Sequence, residues 1–240
     1  MRKGKSYGIN KFKSYLRFVD TAKKSAIILG ATGLTGGLLL QQLLADERYG
    51  SIRVFSRNSV GFTHPKLEEY TGDLLSLGSF RDAFIADEVY CCIGTTKAKT
   101  PDRELYKKID YGIPLSAAQL CSENGIGTLL VISALGADPA SAIFYNKIKG
   151  EMEKAVLGYK LPKTHLLQPA LISGKRKERR SGEWIAKQIF KIADLVLVGP
   201  LKKYRSIHPN TIAKAMVWLA NNPFDKARIP SEEIVRIAND

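Results

Sequence analysis

The chain has 240 residues, 37 of them Lys or Arg against 23 Asp or Glu, so its formal net charge is +14 and its isoelectric point lies near 9.6. This length fits one domain with a large core, and 45% hydrophobic residues is ordinary for a soluble globular protein. Three cysteines (Cys91, Cys92, Cys121) without metal-ligand spacing argue against a disulfide framework and against a zinc site. We therefore expect no bound metal and a reducing, cytoplasmic location.

The positive charge is concentrated in two places. Residues 1–24 contain eight Lys or Arg and a single acidic residue, and a second basic cluster covers residues 175–180. Such an excess invites anionic partners, including nucleotide phosphates and nucleic acid. Both clusters are more typical of a solvated arm and a solvated loop. We interpret residues 1–24 as a basic arm and 25–240 as one domain, disfavour nucleic acid as a partner and leave a protein partner open.

A glycine motif organises the chain. Gly30, Gly33 and Gly36 follow a short apolar strand at 27–29 with the spacing G-x-x-G-x-x-G, and an amphipathic helix at 34–45 comes next. In a dinucleotide site the glycines permit the sharp turn, the approach of the pyrophosphate and the close packing of helix on strand. The stretch 26–45 carries no charge, but its glycine positions are explained by this motif and not by a membrane span. We expect no transmembrane segment.

Strands and helices alternate after this motif. Further strands are predicted at 52–56, 67–70, 88–93, 128–132 and 164–168, and further helices at 77–84, 101–121, 142–157, 183–197 and 209–221, the second of them capped by Thr100. This alternation predicts an α/β fold of the Rossmann-like kind, a doubly wound parallel sheet with helices on both faces. The rhythm loosens over residues 170–208, where we expect the substrate side of the site.

Three strand ends bear on the cofactor. Ser56 and Arg57 end the second strand where an NAD-binding protein would place an acidic residue for the ribose hydroxyls, and an arginine there pairs with the 2′-phosphate of NADP. Asp73 either accepts from the adenine amino group or only forms a turn. Gly94 and Thr95 end the fourth strand, where glycine again permits a close approach to the cofactor. The sequence therefore favours NADP(H).

The spacing Y-x-x-x-K occurs three times, and context separates the three. Tyr7 and its lysine lie in the basic arm, before the glycine motif. Pro162 lies between Tyr159 and Lys163 and would end a helix there, so these two residues do not share a helix face. Tyr145 and Lys149 lie inside one predicted helix, where positions i and i+4 share a face.

Ser133 ends the preceding strand and belongs to the same predicted site. The carboxyl ends of parallel strands line one crevice, so Ser133 is expected to lie close to Tyr145 and Lys149. A hydroxyl with a pKa near 10 is a weak base unless a nearby ammonium favours its phenolate. Ser133 would then hold a carbonyl oxygen while Tyr145 exchanges a proton with it.

The chain resembles, in these motifs, the atypical NAD(P)H-binding group of the short-chain dehydrogenases/reductases. The resemblance covers about residues 25–222 and rests on the glycine motif, Ser56-Arg57, Gly72-Asp73, residues 92–96, residues 133–138, residues 145–151 and residues 181–184. It implies a Rossmann fold, NADP(H) as cofactor, and Ser133, Tyr145 and Lys149 as catalytic residues. The cofactor-binding residues that we expect are Gly30, Thr32, Gly33, Leu34, Thr35, Gly36, Ser56, Arg57, Asp73, Leu74, Gly94, Thr95 and Pro169.

The resemblance leaves the activity open between two hypotheses. One is an NADP(H)-dependent oxidoreductase that acts on a small carbonyl or alcohol substrate. The alternative is an NADPH-binding regulatory or scaffold protein without turnover, since members of the group include such proteins. Asp110 stands where many short-chain reductases have the asparagine of a proton relay, so an asparagine-based relay is not expected here.

Overall fold

The structure is a computed structural model that describes residues 23–173 and 204–240. Residues 1–22 of the basic arm, the cluster at 175–180 and the predicted helix at 183–197 lie outside the described residues, whereas Lys24, the last residue of the predicted arm, begins the first strand. Over the described residues, no helix combines the length and the apolar character that crossing a bilayer requires.

Seven strands form one parallel sheet. They are β1 (Lys24–Leu29), β2 (Tyr49–Ser56), β3 (Leu67–Thr71), β4 (Glu88–Cys91), β5 (Thr128–Ile132), β6 (Lys163–Gln168) and β7 (Arg228–Pro230). Their order is β3-β2-β1-β4-β5-β6-β7, and each neighbouring pair is parallel. The strand order reverses between β1 and β4, and in such sheets ligands bind outside the carboxyl ends of the strands at the reversal.

Helices cover both faces of this sheet, as the sequence predicted. They are α1 (Leu34–Ala45), α2 (Arg103–Lys107), α3 (Ile113–Glu123), α4 (Phe144–Leu157), α5 (Pro209–Asn221) and α6 (Ser231–Ile237). On one face Leu39 and Leu43 of α1 pack in a core with Met216 of α5, and on the other Cys121 of α3 shares a core with Met152 of α4. A 3-10 helix over Leu74–Ala83 completes the second face and replaces the α-helix predicted there.

The predicted helix at 101–121 is interrupted. The side chain of Asp102, rather than that of Thr100, caps α2 by accepting the Leu105 N–H at 2.6 Å. A π turn over Lys108–Gly112 then separates α2 from α3. Pro114 explains this turn, because it has no N–H for the carbonyl of Asp110 four residues earlier and its ring crowds that carbonyl. The turn lies against α4 and sets the direction of the Asp110 side chain.

Candidate functional site

The glycine turn lies where the strand order reverses, and its backbone is packed too closely to admit a side chain at Gly30 or Gly36. Gly30 has a φ of +88°, and the N–H of Gly33 donates to its carbonyl at 3.0 Å. A Cβ atom at Gly30 would lie 3.0 Å from the carbonyl oxygen of Cys92, and one at Gly36 would lie 2.2 Å from the carbonyl oxygen of Gly30. The turn therefore accepts only glycine at Gly30 and Gly36, and it presses α1 against β1.

The N-terminus of α1 faces the same crevice with its backbone donors open. Gly33 is the N-cap residue, it supplies no side-chain hydrogen bond, and the first turn contains no acidic residue. The first N–H groups of a helix have no intrahelical acceptor, and together with the helix dipole they favour an anion such as a pyrophosphate. Thr32 is exposed on the turn, Leu34 is half-buried, and Thr35 is buried.

One side of the crevice is formed by the loops that follow β2 and β3. Ser56 is buried and donates its hydroxyl to the carbonyl of Asn58 at 2.6 Å, whereas Arg57 is exposed. The Asp73 carboxylate accepts the Leu75 N–H at 2.9 Å and caps the 3-10 helix. Leu74 is buried below it. The Asp73 side chain thus stabilises the start of this helix.

Gly94 and Thr95 pass over the middle of the crevice. A Cβ atom at Gly94 would lie 3.6 Å from Oδ1 of Asp110 and 4.0 Å from Nζ of Lys149. The Thr95 N–H donates to Oδ2 of Asp110 at 2.7 Å, and the Thr95 hydroxyl is 2.8 Å from that of Thr100. The loop is therefore anchored to the side chains of Asp110 and Thr100.

Tyr145, Lys149 and Glu153 lie one turn apart along a single face of α4. The Tyr145 side chain is 39% exposed at the mouth of the crevice, and Lys149 is 2% exposed. Lys149 Nζ donates to the carbonyl of Ile132 at 3.3 Å, which ties the helix to the end of β5. Tyr159 follows the end of α4, so its spacing to Lys163 has no helical meaning.

Ser133 lies at the end of β5, beside this face of α4, and its hydroxyl donates to a buried glutamate. The distance from Ser133 Oγ to Glu153 Oε1 is 2.5 Å. Gln168 Nε2 donates to the same oxygen at 2.9 Å, and Arg228 Nε donates to Glu153 Oε2 at 2.7 Å. Because a serine has one proton and an ionised carboxylate only accepts, the Ser133 hydroxyl presents its lone pairs to other groups.

Lys149 is paired with Asp110, and the two side chains are almost fully buried. Lys149 Nζ lies 3.0 Å from Asp110 Oδ1. Burial by itself disfavours the ammonium, but the Asp110 carboxylate outweighs it, so the pKa of Lys149 lies above its usual 10.5. Burial raises the pKa of Tyr145 above 10; the Lys149 ammonium opposes this rise, and Asp110 adds to it. The net direction for Tyr145 is opposite to the one that the Tyr-Lys spacing led us to expect.

Comparison with known proteins agrees with this geometry. The profile of a protein family described as NAD(P)H-binding matches residues 30–172, which include the glycine turn and the α4 face. The chain belongs to this NAD(P)H-binding family. The matched region includes Gly30, Tyr145, Lys149 and Pro169. Pro169 itself is buried, and its carbonyl accepts the Leu135 N–H at 2.9 Å. The predicted resemblance to atypical short-chain dehydrogenases/reductases is confirmed, and so is a nicotinamide dinucleotide as the class of cofactor.

Relatives of the NAD(P)H-binding family extend over most of the chain. Protein HTATIP2 of Rattus norvegicus is 30% identical over 171 residues, which is 70% of each chain. Protein FMP52, mitochondrial, of Debaryomyces hansenii is 29% identical over 215 residues, 86% of this chain and 92% of the relative. Among solved structures, MoeE5 in complex with UDP-glucuronic acid and NAD aligns with a TM-score of 0.64 at 17% identity, covering 89% of this chain and 81% of the other. That alignment confirms the Rossmann-like fold.

The same comparison corrects one prediction. We expected a cytoplasmic location from the cysteine usage. FMP52 proteins of Debaryomyces hansenii, Candida albicans and Meyerozyma guilliermondii are named as mitochondrial, so this prediction is wrong. The error arose because free cysteines report a reducing environment without distinguishing one compartment from another.

The sequence reasoning missed several residues of the site. Glu153 could have been found, because it continues the spacing of Tyr145 and Lys149 by four residues along the same helix face. Asp110 was noted only as a departure from an asparagine, whereas the structure pairs it with Lys149. Arg228 gave no local signal, since it lies in a three-residue strand that was not predicted.

Proposed function

We propose that the protein is an NADP(H)-dependent oxidoreductase that reduces a small carbonyl substrate, with Tyr145 as the proton donor. The observation that carries this proposal is the convergence, at the strand reversal, of the open α1 N-terminus, Gly94 and the Tyr145–Lys149 face of α4. A nicotinamide dinucleotide supplies or takes the hydride. The residues of this chain that line the crevice would orient the cofactor and carry out the proton transfer.

The residues fit such a cofactor. Gly30 and Gly36 leave room for backbone approach, and the first N–H groups of α1 would bind the pyrophosphate. Arg57, exposed at the end of β2, would pair with a 2′-phosphate, since Ser56 and Asn58 beside it carry no negative charge. Lys149, under Gly94, would bind the hydroxyls of the nicotinamide ribose.

The reaction then needs one proton at a defined place. A bound reduced nicotinamide dinucleotide would supply the hydride to the substrate carbon, Tyr145 would give its proton to the carbonyl oxygen, and the Tyr145 phenolate would regain a proton from solvent. Tyr145 can act in this direction because its hydroxyl, like that of any tyrosine with a pKa of 10 or above, carries its proton at neutral pH. General acid catalysis of this kind contributes roughly 10²- to 10⁴-fold.

The cofactor assignment is tested by calorimetric titration of the protein with NADPH and with NADH. We expect NADPH to bind more tightly and Arg57→Ala to weaken NADPH by about tenfold or more while leaving NADH nearly unchanged. Arg48→Ala is a matched control, because Arg48 precedes β2 at its opposite end and is already paired with Asp46 at 2.6 Å. Equal effects of the two variants, or no binding of either nucleotide, would contradict the proposal.

The catalytic assignment needs a carbonyl panel followed by the absorbance of NADPH at 340 nm. Tyr145→Phe keeps the ring and removes the proton, so it should abolish turnover and change the NADPH dissociation constant by less than about twofold. Full turnover in this variant would refute the role of Tyr145.

The second candidate function, an NADPH-binding regulatory protein without turnover, is favoured by one observation. Two of the three catalytic candidates already have partners inside the protein, Ser133 with Glu153 and Lys149 with Asp110. Tight NADPH binding without turnover on any carbonyl of the panel, together with partner binding that depends on the cofactor, would favour this alternative.

A further inference from the structure

Asp110 is a buried carboxylate that the proposed reaction does not use. It is 1% exposed and lies in the π turn that Pro114 imposes. One oxygen accepts the Thr95 N–H at 2.7 Å, and the other lies 3.0 Å from Lys149 Nζ. Oδ1 has no hydrogen-bond donor besides this ammonium among the described residues. The carboxylate thus connects the loop over the crevice with the helix that carries Tyr145.

The charges around Tyr145 are few. Among the described residues, the titratable groups that face it are Lys149, Asp110 and Tyr106. Cys91 also faces Lys149, and burial raises the pKa of its thiol to about 11, so it is uncharged near neutral pH. Tyr145 therefore faces a lysine and an aspartate whose charges act on it in opposite directions, rather than a free ammonium.

We propose that Asp110 is a positioning residue that holds Lys149 against the end of β5 and offsets part of its charge at Tyr145, so that less Tyr145 phenolate is present at a given pH and the site favours carbonyl reduction over alcohol oxidation. This inference rests on the proposed function for its direction, but the electrostatic part concerns the protein alone. The interaction of opposite charges at 3 Å in a buried site is strong enough to control a neighbouring hydroxyl.

The consequence is that the charge of Asp110 should affect carbonyl reduction and alcohol oxidation in opposite ways. Reduction consumes the proton of Tyr145 and benefits from a protonated hydroxyl. Oxidation of an alcohol requires the phenolate as base, and a free ammonium would favour it. Removing the Asp110 charge should therefore increase the phenolate fraction of Tyr145 at a given pH, and with it the rate of alcohol oxidation.

The test is the ionisation of Tyr145 in the full-length protein, without cofactor or substrate. Tyrosines labelled with ¹³C at Cζ are titrated by NMR, and the signal that disappears in Tyr145→Phe is assigned to Tyr145. Asp110→Asn keeps the shape and the acceptor for the Thr95 N–H and removes only the charge. We expect the Tyr145 signal to titrate at least about one pH unit lower in this variant, which is about a tenfold larger phenolate fraction below the midpoint.

A matched control is Glu88→Gln. Glu88 is also a buried carboxylate paired with a lysine, because it lies 2.5 Å from Lys24. It begins β4, so it lies at the amino ends of the strands, away from the carboxyl ends that form the crevice. This control should leave the Tyr145 titration unchanged. An unchanged Tyr145 titration in Asp110→Asn, or an equal shift in both variants, would overturn the inference.

If Asp110→Asn does not fold, the same comparison is made with Asp110→Ser, which also removes the charge and keeps Lys149. This variant should titrate Tyr145 at lower pH than the wild-type protein, and no difference would overturn the inference. Calorimetry with NADPH is run on each variant that folds. A protein that binds no NADPH yet shows the Tyr145 shift would refute the proposed function and leave the role of Asp110 intact.

Discussion

Replacing Gly36 by alanine should damage both the fold and the cofactor site. The new Cβ would lie 2.2 Å from the carbonyl oxygen of Gly30 and 2.7 Å from its carbonyl carbon. An ordinary carbon–oxygen contact is about 3.3 Å or longer, so α1 must move by about 1 Å relative to the turn. Backbone atoms cannot rotate out of the way as a flexible side chain does, so the helix itself has to shift.

The cost follows from what α1 buries. Leu39 and Leu43 are fully buried, and a gap of about 1 Å removes a quarter to a half of their dispersion energy. Overpacking of this kind typically costs about 1–3 kcal/mol, and we expect about 3 kcal/mol of unfolding free energy here. The N–H groups at the start of α1 move with the helix, so NADPH should bind at least about tenfold more weakly.

Urea unfolding followed by circular dichroism measures the first effect, and calorimetry measures the second. Gly112→Ala is a matched control, because Gly112 has helical dihedral angles and a Cβ there would meet nothing within 4 Å. That control should be neutral or stabilising by about 0.5–1 kcal/mol. A Gly36→Ala protein with wild-type stability and wild-type NADPH affinity would refute the steric argument.

Three further predictions follow from buried groups outside the glycine turn. Glu153→Leu leaves Ser133 and Gln168 without their acceptor and should lower the unfolding free energy by about 3 kcal/mol in urea, whereas Glu151→Gln on the same helix should change it by less than about 0.5 kcal/mol; equal losses would contradict this role. Burial lowers the pKa of His165 below its usual 6.5, so the unfolded state takes up the proton first and stability should fall as the pH drops below 6.5, by at most about 1.4 kcal/mol per pH unit; His165→Gln should flatten this dependence, and an unchanged slope would count against it. Gly150→Ala would place a Cβ 2.2 Å from the carbonyl carbon of Asp138, so it should displace the loop before α4 and reduce turnover while NADPH affinity stays within about twofold; unchanged turnover would show that this contact does not position Tyr145.

The parts of the fold that the sequence predicted well depend on local signals. The bounds of α1 and α5 agree with the prediction, because amphipathic spacing, glycines and a leading proline act within a few residues. The prediction of one continuous helix at 101–121 was wrong in its middle, where a π turn interrupts the helix. Pro114, which explains this turn, is visible in the sequence. The short strand Arg228–Pro230 was missed because three residues carry too little periodicity to be recognised.

The sequence by itself determined the glycine turn, the Tyr145–Lys149 face and the Rossmann-like class, since each depends on spacing along the chain. Only the tertiary structure decided which charges surround them. Asp110 and Lys149 are 39 positions apart, and Arg228 and Glu153 are 75 apart. Such pairs form because helices and strands from distant parts of the chain pack together, and burial strengthens each charge interaction. No local pattern records that packing, and it sets which charges surround Tyr145.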